Sequence, residues 1–138
     1  MLHSVACIIR RNANEFFIAR RKSGGFMSDR WEFPGGKQEP GGTLPQTVKR
    51  EFAEEFGADV SVGGEIAQAR FSNNDKEYTL HAYEVFLTDR TDRFTLTEHT
   101  EWRWLDFDSI RALPFVDSDT LLFPSIKKWM ETRLNANA

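Results

Sequence analysis

One segment, residues 43–57, constrains the fold most, because its sequence defines both ends and one apolar face of a helix. Thr43 is a suitable N-cap, and Gln46 three residues later has the spacing of a capping box. Pro45 falls in the first turn, where proline is tolerated, and Gly57 is a natural C-terminal stop. Apolar side chains recur every four residues between these ends, at Leu44, Val48, Phe52 and Phe56. The segment is therefore predicted to form an amphipathic helix.

The rest of the chain is predicted to form short strands and few helices. Strands are predicted at 4–10, 15–20, 31–33, 64–71, 77–87 and 101–105. Further helical segments are predicted from Asp106 and over about 119–134. This irregular order favours an α/β or α+β class with a mixed sheet over a regular βαβ array. The whole chain, residues 1–138, suits one domain, with about 135–138 as a frayed tail.

Charge and cysteine content exclude several classes of function. The chain has 18 Lys plus Arg and 21 Asp plus Glu, a net charge of −3. A broad basic surface for a nucleic-acid polymer is therefore not expected, and an anionic ligand needs local cations or a metal. The single cysteine, Cys7, lies in an apolar run too short to span a membrane and cannot form an internal disulfide. We expect a buried Cys7, a cytoplasmic location and no membrane partner, with monomer and homodimer both open.

Three glutamates crowd one face of the predicted helix. Glu51, Glu54 and Glu55 fall within an arc of roughly 100°, and each like-charge pair costs a few tenths of a kcal/mol. By itself such a pattern is more often a solvated acidic face. A divalent cation, Mg²⁺ or Mn²⁺, held by carboxylate oxygens is the alternative. The context favours the cation, because Arg50 precedes these acids and a glycine pair followed by Lys37 precedes the helix.

The segment 35–58, GGKQEPGGTLPQTVKREFAEEFGA, resembles the Nudix box of the Nudix hydrolases. The family pattern is Gly, five residues, Glu, seven residues, Arg-Glu, an aliphatic or aromatic residue, any residue, Glu-Glu, any residue, Gly and an apolar residue. The positions that match in register are Gly36, Arg50, Glu51, Phe52, Glu54, Glu55 and Gly57, with Ala58 a looser fit. One position departs, because the first glutamate of the pattern falls on Gly42. Glu39 is a candidate substitute for it.

The resemblance extends over about residues 4–130, more loosely than in the box. Residues 17–21 and 31–37, with Glu98 ahead of Trp104, are similar to the MutT branch of the family. Residues 80–83 and 113–122 look more like the CTP pyrophosphohydrolases of that branch, which also holds the 8-oxo-dGTP diphosphatases.

The resemblance implies a Nudix-type fold, a mixed β-sheet packed between helices, and Mg²⁺-dependent hydrolysis, with Mn²⁺ as the other metal. The implied reaction takes a nucleoside triphosphate and water to a monophosphate and pyrophosphate, on cytosine or oxidised purine nucleotides. An ADP-ribose or dinucleotide pyrophosphatase is an alternative. A weakly active, nucleotide-sensing domain is another, because of Gly42.

The resemblance also implies roles for particular residues. The implied metal ligands are Glu51, Glu54, Glu55, Glu98 and the Gly35 carbonyl. Arg50 is implied to orient a box carboxylate. Glu98 or Glu51 is the general base, which must reach the attacking water, and Glu101 is the nearby substitute for Glu98. The partner is a small nucleotide.

The remaining candidates are substrate contacts. Arg21 and Lys37 are implied to contact phosphates. Asp119 falls near the base-recognition position of the family. An ionised Asp119 would accept a hydrogen bond from an amino group such as cytosine N4, whereas a protonated Asp119 would suit the lactam group of a purine. Capping the C-terminal helix is an equal alternative for Asp119. The candidate stacking partners are Phe26, Tyr78 and Phe115. The three histidines lack zinc-site spacing and are interpreted as ordinary polar residues: His3, His81 and His99.

Overall fold

The computed structural model describes residues 2–88 and 93–136, and it describes side chains as far as Arg133. Within these residues the chain forms seven strands and four helices. The strands are β1 Leu2–Arg11, β2 Glu15–Arg21, β3 Trp31–Glu32, β4 Gly35–Lys37, β5 Val60–Asn73, β6 Lys76–Leu87 and β7 His99–Asp106. The helices are α1 Leu44–Phe56, α2 Phe107–Arg111, α3 Asp117–Thr120 and α4 Phe123–Ala136.

Strand β1 is the centre of the sheet. The strand order is β3-β2-β1-β6-β5, with β4 paired to β1 and β7 paired to β2. The β1–β6 pair is parallel, from Leu2 opposite Tyr78 to Ile9 opposite Val85, whereas the other pairs are antiparallel. The predicted mixed sheet is therefore confirmed.

The sheet is buried on both faces. One cluster contains Ile8 of β1 together with Ile110 of α2 and Ile126 of α4. The other contains Cys7 of β1, which is fully buried as expected, and the apolar stripe of α1. Because side chains alternate along a strand, neighbouring β1 residues enter different clusters. The sheet thus lies between α1 and the C-terminal helices, as predicted.

The ends of α1 agree with the sequence prediction. The Thr43 side chain accepts a hydrogen bond from the Gln46 amide, and the Gln46 side chain accepts one from the Thr43 amide, at 3.2 and 2.9 Å. Gly57 ends the helix with φ of 68°, in the left-handed region that favours glycine. The metal-ligand candidates of α1 are therefore held on a helix whose start and stop are both specified locally.

Three predicted boundaries are wrong. A strand that the sequence did not predict lies at 35–37, just after the predicted 31–33 strand, because these residues pair with Ser4–Ala6 of β1. Strand β5 begins at Val60, earlier than predicted. The C-terminal helix is divided into α3 and α4, because Pro124 has no amide hydrogen to continue the ladder. Helix α4 includes Asn135 and Ala136, and residues 137–138 lie outside the described part of the chain. No helix among the described residues is long and apolar enough to cross a membrane.

Candidate active site

A cavity of about 480 Å³ lies where β1, β4, α1 and the segment before α4 meet. Seven of the predicted site residues line it: Arg21, Phe26, Gly35, Lys37, Glu55, Glu98 and Asp119. Four others do not line it: Arg50, Glu51, Glu54 and Tyr78. The structure therefore gathers candidates from both ends of the chain into one cleft.

The glycine pair of β4 is required by close packing. A Cβ on Gly35 would lie 1.9 Å from the Val5 carbonyl oxygen, and one on Gly36 would lie 2.2 Å from the carboxyl carbon of Glu51. Neither position has room for a side chain. The backbone of β4 can therefore approach the carboxylates of α1 closely, which suits the predicted carbonyl ligand at Gly35.

Glu51 and Glu55 form the buried part of the acidic cluster. Glu55 is 3% exposed, whereas Glu51 is partly buried. Burial, followed by the charges of Glu32 and Glu51, raises the pKa of Glu55 to about 10. Burial also raises the pKa of Glu51. In the absence of a cation this pair keeps a proton, and a divalent cation could take its place, so the oxygen donors fit Mg²⁺ or Mn²⁺.

Arg50 connects α1 to β4. Its Nη1 lies 2.8 Å from Glu51 and 3.4 Å from both Glu54 and Glu39, and its Nη2 donates to the Lys37 carbonyl at 2.8 Å. Glu54 is more exposed than Glu51 and pairs with Arg50 from the solvent side. These contacts hold the Arg50 guanidinium between the acids of α1 and the backbone of β4.

Sequence reasoning missed two residues of the site, Glu32 and His99. The Nε2 atom of His99 lies 2.8 Å from Glu32 Oε2 and 3.7 Å from Glu55 Oε2. The His99 ring stacks on Phe56 with centroids 5.1 Å apart, and Glu32 also accepts from Arg21 at 3.2 Å. The interpretation of His99 as an ordinary polar residue is therefore incomplete. A usable signal was the position of Glu32 between buried Trp31 and Phe33, in the strand leading to the glycine pair.

The other two histidines lie together away from the cavity. His3 Nδ1 and His81 Nε2 are 2.9 Å apart, and His81 also contacts Glu65. This group is separate from the cavity lining.

Asp119 lines the cavity from α3, whereas Glu55 lines it from α1. Its Oδ2 accepts a hydrogen bond from the Phe33 amide at 2.9 Å, and the residue is buried within α3. The alternative that Asp119 caps the C-terminal helix is therefore wrong, because its carboxyl accepts from the Phe33 amide, between β3 and β4. Burial, followed by the charge of Glu32, raises the pKa of Asp119 to about 8, so the carboxyl is mostly neutral at pH 7.

The aromatic candidates are placed unequally. Phe26 is 65% exposed and lines the cavity. Tyr78 is buried and stacks on Phe71, and it is Phe71 that lines the cavity. Phe115 is buried against Phe33. Three phenylalanines line the cavity, Phe26, Phe33 and Phe71. Because Phe33 is buried, Phe26 and Phe71 are the two with exposed ring surface for stacking on a base.

Of the two candidate glutamates, Glu98 just before β7 and Glu101 within it, Glu98 is the better placed. Glu98 is exposed and lines the cavity. Glu101 instead pairs with Arg20 and Arg103, at 3.4 and 3.3 Å. Glu98 can therefore reach a ligand in the cavity, whereas Glu101 is engaged along β7.

Comparison with known proteins places the site in a family. A sequence profile of the NUDIX domain matches residues 1–125. The CTP pyrophosphohydrolase of Escherichia coli strain K12 is 29% identical over 133 residues, 96% of this chain and 94% of that protein. The 8-oxo-dGTP diphosphatase of the same strain is 52% identical over 50 residues, 36% of this chain and 39% of that protein. The solution structure of the E. coli ORF135 protein has a TM-score of 0.82 at 27% identity, covering 96% of this chain and 93% of that one.

The fold and the relatives together define a hydrolase that acts on the pyrophosphate bonds of nucleotides. The chain belongs to the Nudix family, as a MutT-like Nudix hydrolase. The predicted family, fold class and enzyme class are thus confirmed. Nudix hydrolases generally use a divalent metal, and the buried oxygen donors of α1 are suited to one.

Proposed function

We propose that this chain is a Mg²⁺-dependent nucleoside triphosphate pyrophosphohydrolase that prefers cytosine or oxidised purine nucleotides. The observation that carries the proposal is one cavity lined by two buried carboxyls from different elements: the metal-suited Glu55 of α1 and the neutral Asp119 of α3. A nucleotide has this same division, with phosphates at one end and a base with polar edges at the other. The cation can be Mn²⁺ as well.

The acidic side of the cavity suits the phosphate chemistry. Mg²⁺ would be held by oxygen atoms of Glu51, Glu54, Glu55, Gly35 and Glu98. When bound, it would offset phosphate charge and lower the pKa of a water. Arg21 and Lys37 line the same cavity and contact the phosphates. Glu98 accepts a proton from the attacking water, because its exposed carboxylate lies in the cavity. Glu51 is the other candidate base.

Asp119 is proposed to select the base. A neutral carboxyl offers one donor and one acceptor. That pair matches the N3 and N4 edge of cytosine, and equally the lactam edge of an oxidised guanine. The names of two relatives, a CTP pyrophosphohydrolase and an 8-oxo-dGTP diphosphatase, fall in the same two substrate classes. The aromatic rings of Phe26 and Phe71 are available to stack on the base.

A substrate panel tests the proposal. Pyrophosphate release is measured from dCTP, CTP, 5-methyl-dCTP and 8-oxo-dGTP. Release of AMP is measured from ADP-ribose, which lacks a triphosphate, and each substrate is assayed with Mg²⁺ and with Mn²⁺. We expect metal-dependent release from a cytosine or oxidised purine triphosphate. Absence of turnover on every nucleotide would overturn the proposal, and turnover of ADP-ribose alone would assign a different pyrophosphatase.

A nucleotide-sensing domain with weak turnover is the second candidate, and Gly42 favours it. Gly42 stands where the family has a glutamate, and a Cβ there would meet only the Glu39 carbonyl, at 3.5 Å. Gly42→Glu therefore fits sterically. If the missing carboxylate limits turnover, this substitution raises kcat several-fold, as measured by pyrophosphate release. Unchanged kcat would mean that Glu39, which already pairs with Arg50, makes a glutamate at position 42 unnecessary.

A further inference from the structure

Three side chains from different elements converge beside the cavity: the partly buried Glu32 of β3 and the buried Glu55 of α1 and His99 of β7. One ligand atom from each lies within 4.8 Å of the other two. His99 is 3% exposed. Its Nδ1 atom has no hydrogen-bond partner, so its polar contacts run through Nε2, between the two carboxylates.

The spacing of these atoms suits a shared metal ion. Ligand atoms about 2.1 Å from one ion lie about 3.0–3.4 Å apart, depending on tetrahedral or octahedral geometry. The two distances from His99 Nε2, 2.8 Å to Glu32 and 3.7 Å to Glu55, bracket that range. Small side-chain shifts would bring all three atoms to an ion. The stack of His99 on Phe56 holds the imidazole in place for this.

The local charge also favours a cation. Three other acids lie close enough to Glu55 for their charges to raise its pKa: Glu32, Glu51 and Glu98. Among the cations lining the cavity, Arg21 is the one that pairs with Glu32. Arg50, outside the cavity lining, pairs with Glu51. Two guanidiniums do not balance these four acids, so a dication would lower their electrostatic free energy.

We propose that Glu32, Glu55 and His99 hold a divalent cation through one nitrogen and two oxygens, so that this chain binds a transition-metal dication more tightly than Mg²⁺. The inference rests on the proposed function only through Glu55, which also serves the all-oxygen site of α1. An imidazole ligand favours first-row transition metals, whereas Mg²⁺ prefers oxygen ligands and retains water. His99 is thus the residue that decides metal preference.

Mn²⁺ is a suitable probe because it is paramagnetic. The full-length chain, stripped of metal, is loaded with less than one equivalent of Mn²⁺ and studied by electron spin echo envelope modulation. We expect ¹⁴N modulation from a coordinated imidazole. His99→Gln should abolish the modulation and lower Mn²⁺ affinity roughly tenfold or more, with a smaller change in Mg²⁺ affinity measured by competition. Glu32→Gln should weaken Mn²⁺ binding and keep the modulation.

His3→Gln is the matched control, because His3 lies outside the cavity lining, and it should keep both the signal and the affinity. Absence of ¹⁴N modulation in the wild-type chain would overturn the inference even if His99→Gln fails to fold, and so would modulation that persists in folded His99→Gln. Nucleotide hydrolysis is assayed separately. Modulation without hydrolysis would refute the proposed function alone, and hydrolysis without modulation would refute this inference alone.

Discussion

The two sides of the cavity are built in different ways. On the α1 side, Arg50 bonds Glu51 next to it in sequence and the Lys37 carbonyl thirteen residues away. On the α3 side, Asp119 accepts a hydrogen bond from the Phe33 amide across 86 residues. The first side holds carboxylates with an ion pair, and the second holds a neutral carboxyl with a backbone hydrogen bond. The metal side is therefore a local unit of β4 and α1, whereas the base side exists only once distant segments have packed.

The segment before α3 makes that second side possible. The Trp31 amide donates to the Pro114 carbonyl at 2.9 Å, and the Val116 amide donates to the Trp31 carbonyl at 2.8 Å. Residues 114–116 thus run beside β3 and carry Asp119 to Phe33. Changes on the metal side should act on the reaction with every base, whereas changes on the base side should act on substrate choice.

Gly35→Ala should have the largest effect, because it disrupts the packing of β4 against β1 and so displaces the backbone of the metal side. The new Cβ would lie 1.9 Å from the Val5 carbonyl oxygen, a backbone atom that cannot rotate away. We expect the free energy of unfolding to fall by about 3 kcal/mol and hydrolysis to be lost, as measured by urea denaturation and pyrophosphate release. Gly64→Ala, where a Cβ meets nothing within 4 Å, should change stability by no more than about 0.5 kcal/mol. Equal stability of the two variants would refute the packing argument.

Glu55→Gln should remove most of the activity and leave the fold intact. It removes a buried carboxylate proposed to hold the metal, and we expect kcat to fall about 10³-fold on every substrate. Glu54→Gln should cost less, because Glu54 is 60% exposed and pairs with Arg50 from solvent. Activity of Glu55→Gln within tenfold of wild type would show that this side of the cavity is not the metal side.

The same variant tests a pH dependence of stability. The pKa of Glu55 is about 10 in the folded, metal-free chain and lies near its ordinary 4.5 when unfolded. Between pH 4.5 and about 10, folding therefore takes up one proton at Glu55. The free energy of unfolding falls as pH rises through this range. Thermal unfolding in EDTA from pH 5 to 10 should show a weaker decline for Glu55→Gln. Parallel curves for the two proteins would contradict the raised pKa.

Glu98→Gln should lower kcat about 10²-fold if Glu98 is the general base. Glu101→Gln should change kcat little, because Glu101 is bonded to Arg20 and Arg103 along β7. Rates are compared by pyrophosphate release at saturating nucleotide. A larger loss of kcat in Glu101→Gln than in Glu98→Gln would assign the general base to Glu101 instead.

The contrast between the two sides explains what could be predicted from the sequence. The capping box, the apolar stripe and Gly57 lie within one helix, so α1 and its acids could be predicted from spacing alone. The contacts of Glu32 with His99 and of Phe33 with Asp119 join residues 67 and 86 positions apart. No local periodicity encodes such pairings, which depend on the sheet order. Tyr78 is a further example. Its stacking on Phe71, a residue of the neighbouring strand, depends on the pairing of β5 with β6 and could not be predicted from either strand alone.

Asp119→Asn should have the smallest effect on overall rate and the clearest effect on substrate choice. The pKa of Asp119 is about 8 in the folded chain, above its ordinary 3.8, so the neutral donor is lost as pH rises through 8. We expect KM for the preferred base to increase several-fold above pH 8 in the wild type, with little change in kcat. An amide keeps a donor and an acceptor at all pH values, so the KM of Asp119→Asn should stay level. Asp117→Asn, an exposed neighbour that pairs with Arg30, should follow the wild-type curve, and a pH-independent KM in the wild type would exclude Asp119 from base selection.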